Sequence, residues 1–254
     1  MKLVSIVMPY YKKRTFIRSA ISSVLCQSYK KFELIIIYDD DDLKDYEYIF
    51  NLAKKDNRIR ILKNNKNLGS GLSRNVGIIN SRGYYIAFLD SDDLWFKNKL
   101  KLQIDYMEKN KLPISFTAYK IINKNNDVIG FRKANKILKF DNLINSCDVG
   151  LSTVILRSSL IKRKIFFPNL KTKEDYVFWL NISKKNHFFY GLNKKLSAWR
   201  RLSNSLSSNF FQKLFDGYLV YYKYMKYSFI KSIYCLAILS FNYLKKRFYE
   251  FIHI

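Results

Sequence analysis

Three cysteines, Cys26, Cys147 and Cys235, are too few and too scattered for a disulfide framework or a cysteine-built zinc site. Two histidines, His187 and His253, leave little room for imidazole-based metal or nucleophilic chemistry. No internal repeat and no linker rich in Pro, Gly or Ser interrupts the 254 residues. No apolar run reaches the ~18 residues that a membrane-spanning helix needs. The longest, Ile233 to Leu244, is broken by Ser240 and Asn242. Met1-Lys2 leads straight into a strand-like run without a signal-peptide layout, so a cytoplasmic location is expected. Acids are also scarce, 20 against 46 Lys plus Arg, for a net charge of +26. That excess excludes an acidic surface and suggests a polyanionic partner: nucleic acid, an anionic membrane face or a phosphate-bearing substrate. An AT-rich genome, which favours Lys, Asn, Ile, Phe and Tyr, is an alternative source of part of it.

What is present is a 48% apolar chain that can bury a sizeable core. Leu3–Met8, Glu33–Tyr38, Arg58–Leu62 and Tyr84–Leu89 read as buried strands, the first stopped by Pro9. Helices are predicted from Thr15 as N-cap, over Leu43–Lys55, and after Gly71. Strand–helix alternation implies a doubly wound, largely parallel sheet over at least the first 110 residues. Ligands of such sheets bind beyond the carboxyl ends of the strands, which singles out Pro9-Tyr10-Tyr11, Asp39–Asp42 and Asp90–Asp93. Further on, Ile114–Ile122 and Val128–Arg132 read as a hairpin around Asn125-Asn126, Thr153–Leu156 as a strand, and Lys173–Lys185 as a helix.

Nine of the twenty acids fall in three clusters: Asp39–Asp42, Asp90-Ser91-Asp92-Asp93, and Glu174-Asp175. Crowded like charges need a cation, a donor set or solvent to relieve them. Asp90 and Asp92, at i and i+2 after a buried strand, sit on one turn. There they can serve a ribose and a hard cation, Mg²⁺ or Mn²⁺, whose shell a nucleoside diphosphate would complete. A solvated acidic turn is the alternative. The Asp39–Asp42 run is either a helix-preceding turn or an acceptor for the imide N–H of uracil, with Tyr11 stacked on the base. Glu174-Asp175 holds a candidate general base, although Thr172 and Asp175 also fit a helix-capping pattern. Asn67–Asn75 is a Gly-bearing loop entering a helix, where backbone amides and Arg74 can meet phosphates or a base edge. It is neither a Walker loop nor a dinucleotide fingerprint.

Together these segments resemble family 2 glycosyltransferases of the GT-A fold. The resemblance lies in VSIVMPYYKK (4–13), SVLCQSYKKFELIIIYDD (23–40), NLGSGLSRNVGI (67–78), YYIAFLDSDDLW (84–95) and KEDYVFWL (173–180), in the family's order. It implies an α/β, Rossmann-like sheet flanked by helices and a metal-dependent, inverting transfer of a sugar from a nucleotide donor, UDP by family preference. Carried over by motif, Tyr11 and Asp39 or Asp40 hold the base, with Pro9 and Ser91 beside the nucleotide. Arg74 faces the nucleotide, Asp90 the ribose, and Asp92 the Mn²⁺ or Mg²⁺. Asp175, paired with Glu174, is the general base.

Two departures stand out. The family's usual Asp-Asp-Gly-Ser is here four aspartates after Tyr38, which leaves the base-binding register open by one. Leu202 stands where a His is frequent, before a stretch ending Ser-Leu-Ser, so Arg200, Arg201 or water would have to replace that His.

The domain expected over 1–205 divides into a nucleotide half, 1–112, and an acceptor half, 113–205, followed by a helical extension, 206–254. From Phe210 onward roughly a third of the positions are Phe or Tyr, mixed with Lys and Arg. Such a segment suits an anionic membrane surface, or alternatively caps the catalytic domain with its aromatics in the core. The expectation is a peripheral enzyme on the inner face of the cytoplasmic membrane, with a glycan or lipid-linked acceptor of capsule, O-antigen or lipooligosaccharide synthesis. The rival readings are a nucleic-acid-binding protein, for which no motif is present, a sugar nucleotidyltransferase, and an inactive relative.

Overall fold

A computed structural model describes residues 1–161, 165–202 and 210–252. Four apolar strands, β1 (Val4–Tyr10), β2 (Phe32–Tyr38), β3 (Ile59–Lys63) and β4 (Tyr85–Phe88), pair in parallel in the order β3-β2-β1-β4. Strands buried on both faces appear as unbroken apolar runs, which is why this half is written plainly in the sequence. Alternate side chains enter separate cores. Val7, Ile35 and Ile37 point to one face, Ile6, Met8, Leu34 and Ile36 to the other.

The sheet then becomes mixed. β4 is antiparallel to β9 (Ile155–Arg157), which is antiparallel to β6 (Ile114–Ile122). β6 runs parallel to β10 (Phe189–Arg200), whose far edge carries β5 (Leu94–Trp95). β7 (Val128–Arg132) folds back on β6, and β8 (Ile137–Leu138) pairs with β10.

Helices cover both faces. α1 (Arg14–Leu25), α2 (Leu43–Ala53) and α4 (Lys99–Lys109) bury Ile17, Val24, Ile49, Leu100 and Ile104 on one side. α3 (Ser70–Ile79) and α6 (Glu174–Ser183) lie on the other. α3 approaches the sheet so closely that a Cβ on Gly77 would meet Val7 at 2.4 Å. α6 buries apolar residues all round, including Phe178 stacked on Phe167 at 4.0 Å, and so behaves as a core helix.

After the short α5 (Phe140–Leu143) and the strand β10, the chain ends in α7 (Phe210–Leu219), a wide π-type turn over Val220–Tyr224, and α8 (Phe229–Ile252). Val220, Tyr221, Met225, Cys235 and Leu239 join the core beside α6. The Tyr221 and Tyr176 hydroxyls both donate to the Ile144 carbonyl, at 2.8 and 2.9 Å.

Four local expectations are corrected. β1 continues through Pro9 to Tyr10. Its ladder with β4 has ended at Val7–Phe88, so the missing proline N–H faces no strand partner on that side. α1 is capped by Lys13 without a side-chain bond, and Thr15 lies inside it. Thr172 does not cap α6, because Lys173, in a left-handed conformation with φ 67°, is the N-cap, while Thr172 donates through N and Oγ1 to Asp216. Thr153 belongs to a 3₁₀ turn, Leu151–Thr153, and β9 begins at Ile155.

Candidate active site

The carboxyl ends of β1, β2 and β4 open into a cleft of about 1240 Å³. Pro9, Tyr11, Asp39, Arg74, Asp90, Ser91, Asp92, Glu174 and Asp175 all line it, although they come from five separate segments. Asp40 does not. Its carboxylate accepts from the Lys12 and Asp41 amides, each at 2.9 Å, and so ties the end of β1 to the end of β2. Asp42 caps α2 by accepting from the Lys44 and Asp45 amides. Of the four-aspartate run, Asp39 alone reaches the cleft.

Asp39 is 3% exposed, and its carboxylate accepts from Asn64 Nδ2 at 2.7 Å and from the Leu68 and Gly69 amides at 2.8 Å. The two amide bonds hold the 67–69 loop against the sheet. A carboxylate offers about four lone-pair positions, so one is left over for a further donor. Gly69 meets the loop's demand for φ +82° at the entry to α3. Tyr11 is half-exposed at the cleft edge, with the Lys12 ammonium 5.1 Å from its ring centroid.

Arg74 is 4% exposed and joins two acidic clusters. Its Nη2 donates to Asp90 Oδ1 at 2.6 Å and its Nη1 to Glu174 Oε1 at 2.8 Å, where Ser70 Oγ also donates at 2.7 Å. Glu174 therefore anchors the arginine. The adjacent Asp175 has a different setting: its Oδ1 accepts from the Tyr176 amide at 2.7 Å. Burial, and then the negative charge of Glu174, push its carboxyl up to about 6, against the opposing pull of Arg74 and Lys173. Lys173, two residues before it, is left-handed, strain of the kind that accumulates at functional sites.

The Asp90–Asp93 turn is over-supplied with negative charge. Asp93 is buried, accepting from Ser152 Oγ at 2.5 Å and the Arg200 amide at 2.8 Å. Burial and the two neighbouring aspartates hold its carboxyl well above the usual range. Asp92 is raised too, chiefly by burial, with Lys13 opposing. The Lys13 ammonium sits 2.8 Å from Asp92 Oδ2 and serves as its counter-cation. Oxygen donors at i and i+2, crowded until a cation relieves them, suit a hard divalent ion that takes one or two carboxylates plus phosphate. Among the described residues no cluster of three His, Cys, Asp or Glu forms a closed metal site, so the remaining ligands would come from substrate and water.

Arg200 is not available to stand in for the expected His. Its guanidinium donates to the Asp92, Asn123 and Lys124 carbonyls and to Asn126 Oδ1. It locks the acidic turn to the β6–β7 hairpin. Arg201 stacks over Trp199 at 5.4 Å, Leu202 is half-buried, and Ser203–Ser207 lie outside the described residues.

Sequence reasoning missed several residues that the cleft brings in. Lys13 lay inside a recognised motif with nothing to mark its pairing with Asp92. Lys213, Leu239, Tyr243 and Lys246 reach the cleft from α7 and α8, more than a hundred residues after the acidic turn.

The glycosyl transferase family 2 model matches residues 5–167. The putative teichuronic acid biosynthesis glycosyltransferase TuaG of Bacillus subtilis is 32% identical over 96% of this chain and 97% of its own. WfgD of Escherichia coli, named as a UDP-Glc:alpha-D-GlcNAc-diphosphoundecaprenol beta-1,3-glucosyltransferase, is 38% identical over 84% of this chain and 82% of its own. The mannosyltransferase PcManGT of Pyrobaculum calidifontis, solved with GDP-Man and Mn²⁺, superposes with a TM-score of 0.69 over 92% of this chain and 70% of that one, at 10% identity. Acidic turns at the strand ends, an α/β sheet shared with a solved glycosyltransferase, and a family match over residues 5–167 agree: the chain belongs to glycosyl transferase family 2 and is a GT-A enzyme that transfers a sugar from a nucleotide-sugar donor.

Proposed function

We propose that the chain is an inverting, UDP-sugar-dependent glycosyltransferase of bacterial surface-glycan assembly that glycosylates a hydroxyl of a lipid-linked glycan at the membrane face. The observation that carries this is Asp175, a cleft carboxylate poised near 6, lining the same cleft as the Asp90–Asp92 turn. A base of that strength is mostly ionised at neutral pH and still basic enough to take a hydroxyl proton. The relatives named for teichuronic acid and for an undecaprenol-linked acceptor support the acceptor class, and the UDP-Glc of the second supports the donor.

In this reading Tyr11 stacks on the uracil and Asp39 accepts its imide N–H. Pro9 and Ser91 border the nucleotide, and Asp90, steered by Arg74, takes the ribose hydroxyls. Asp92, with the donor diphosphate, would hold Mn²⁺ or Mg²⁺, an ion that would supply charge neutralisation to the departing diphosphate. Lys13 is the cation that Asp92 keeps otherwise. Asp175 Oδ accepts the proton of the acceptor hydroxyl while its oxygen attacks the anomeric carbon from the face opposite the diphosphate. The C–O bond to the diphosphate breaks as the new glycosidic bond forms, and no covalent enzyme intermediate is needed. Residues 1–112 would serve the donor and 113–205 the acceptor.

The test is a panel of UDP-, GDP- and dTDP-sugars with a short-chain prenyl diphosphate GlcNAc acceptor, product configuration being read by NMR. A β-linked product from an α-linked UDP-sugar is expected. Retention of the anomeric configuration, or transfer from GDP- or dTDP-sugars only, would overturn the reading.

A further inference from the structure

α8 carries two apolar faces. One, with Cys235 and Leu239, is buried in the core. The second runs through Ile230, Ile233, Tyr234, Ala237, Phe241 and Leu244, at the i, i+3, i+4, i+7, i+11, i+14 positions of a single helix stripe, and every one of them is exposed. Ile230 is 80% exposed and Phe241 68%. Phe229, at the start of α8, and Phe215 of α7 are exposed as well. A continuous apolar stripe left in water is the mark of an interaction surface rather than of scattered exposed side chains.

The charge around the stripe selects its occupant. Residues 217–249 contain five lysines and one arginine and no acidic residue. A second copy of a chain carrying +26 would bring like charge against like charge. An anionic lipid surface instead receives the stripe into its acyl boundary and the exposed Lys231 and Lys245 among its headgroups. Among the described residues no helix is long and apolar enough to cross a membrane, so α8 would lie in the interface plane.

We propose that the exposed stripe of α8 is an interfacial anchor that docks this enzyme on an anionic phospholipid surface. Leu239, Tyr243 and Lys246, on the side of α8 opposite the stripe, line the catalytic cleft. The helix thus forms the wall between cleft and lipid, and sets the cleft about one helix diameter, roughly 10 Å, from the surface. Its value to the enzyme rests on the lipid-linked acceptor proposed above; the binding does not.

The experiment is sedimentation of the full chain with phosphatidylglycerol/phosphatidylcholine vesicles, against phosphatidylcholine alone and across a salt series. The Ile230→Ser/Phe241→Ser variant, checked by thermal melting, is compared with Phe50→Ser, an exposed apolar residue of α2 outside the stripe. Salt-sensitive binding to the anionic vesicles, weakened roughly tenfold or more by the stripe variant and unchanged by Phe50→Ser, is expected. Wild type left in the supernatant, a stripe variant that binds as wild type does, or a concentration-dependent dimer that dissolves on stripe mutation would each overturn the anchor. Transfer to the short-chain acceptor in the absence of vesicles separates the two proposals. It should survive the stripe variant, and its absence in a wild type that binds vesicles would overturn the acceptor assignment and leave the anchor standing.

Discussion

Replacing Asp175 with Asn is expected to remove activity and to raise stability. The side chain is nearly isosteric, so packing around α6 is kept. Wild-type Asp175 carries a penalty for being ionised where burial and Glu174 oppose it, which places its carboxyl at about 6 instead of 3.8. At 1.36 kcal/mol per pKa unit that amounts to roughly 3 kcal/mol as an upper bound, since the side chain is only half-buried by its exposed area. The sign follows from proton binding. Below pH ~4 the carboxyl is protonated in both folded and unfolded chains and costs nothing. As pH rises through 4 to 6 the unfolded chain loses its proton first, and the wild type loses stability relative to the variant. Above 6 the gap is constant. Denaturant titrations of both proteins at pH 4.5 and pH 8 should therefore show a variant more stable at pH 8 by about 1–3 kcal/mol, with a smaller gap at pH 4.5. Turnover should fall by about 10²–10⁴-fold, the usual worth of a positioned base. The wild-type kcat/KM should fall tenfold per pH unit below about 6. Turnover within tenfold of wild type, or an acid limb near pH 4, would refute the assignment of the base.

Three other perturbations follow from the same contacts. Arg74→Met leaves Glu174 and Asp90 without their shared cation, and should cost roughly 3 kcal/mol by chemical denaturation at pH 8. Lys13→Met removes the ammonium from Asp92 and should tighten Mn²⁺ binding about two- to fivefold in EPR titrations without nucleotide, whereas weaker binding would contradict the counter-cation role. Lys99 is fully buried, its amine 3.8 Å from the Trp95 ring centroid and without a hydrogen-bond partner among the described residues, and burial pulls its pKa well down. Lys99→Met should stabilise the fold by about 1–3 kcal/mol at pH 7, and the gain should shrink as pH rises towards the ordinary lysine value, because the unfolded wild type then loses its extra proton.

The parallel strands β1–β4 were legible because they are buried on both faces and written as contiguous runs such as ELIIIY. β10 was not, because Gly191, Asn193, Lys194 and Lys195 break both periodicities. Its register against β6 shifts twice between Leu192 and Ser197, and bulges leave no pattern in one strand's own sequence. The acids of the site were legible as clusters in a basic chain. Their division of labour was not. Asp39 and Asp40 are neighbours with the same chemistry, and only the loop that Asp39 holds, 28 to 30 residues on, tells them apart. Glu174 reads as half of a catalytic pair until its partner Arg74, 100 residues earlier, is in place. The core-cap reading of the tail holds for one face of α8, where Cys235 and Leu239 are buried, while Ile230 and Phe241 on another face are exposed.

The central claim is that the Asp90-Ser91-Asp92 turn, with Asp39 and Arg74, forms a metal-assisted UDP site. Isothermal titration of UDP, with and without Mn²⁺, into wild type and Asp92→Ala tests it most directly. UDP should bind, Mn²⁺ should strengthen that binding, and Asp92→Ala should reduce it to the metal-free level, with GDP and CMP weaker. Equal UDP affinity in the two proteins at saturating Mn²⁺, or no binding by wild type, would contradict it.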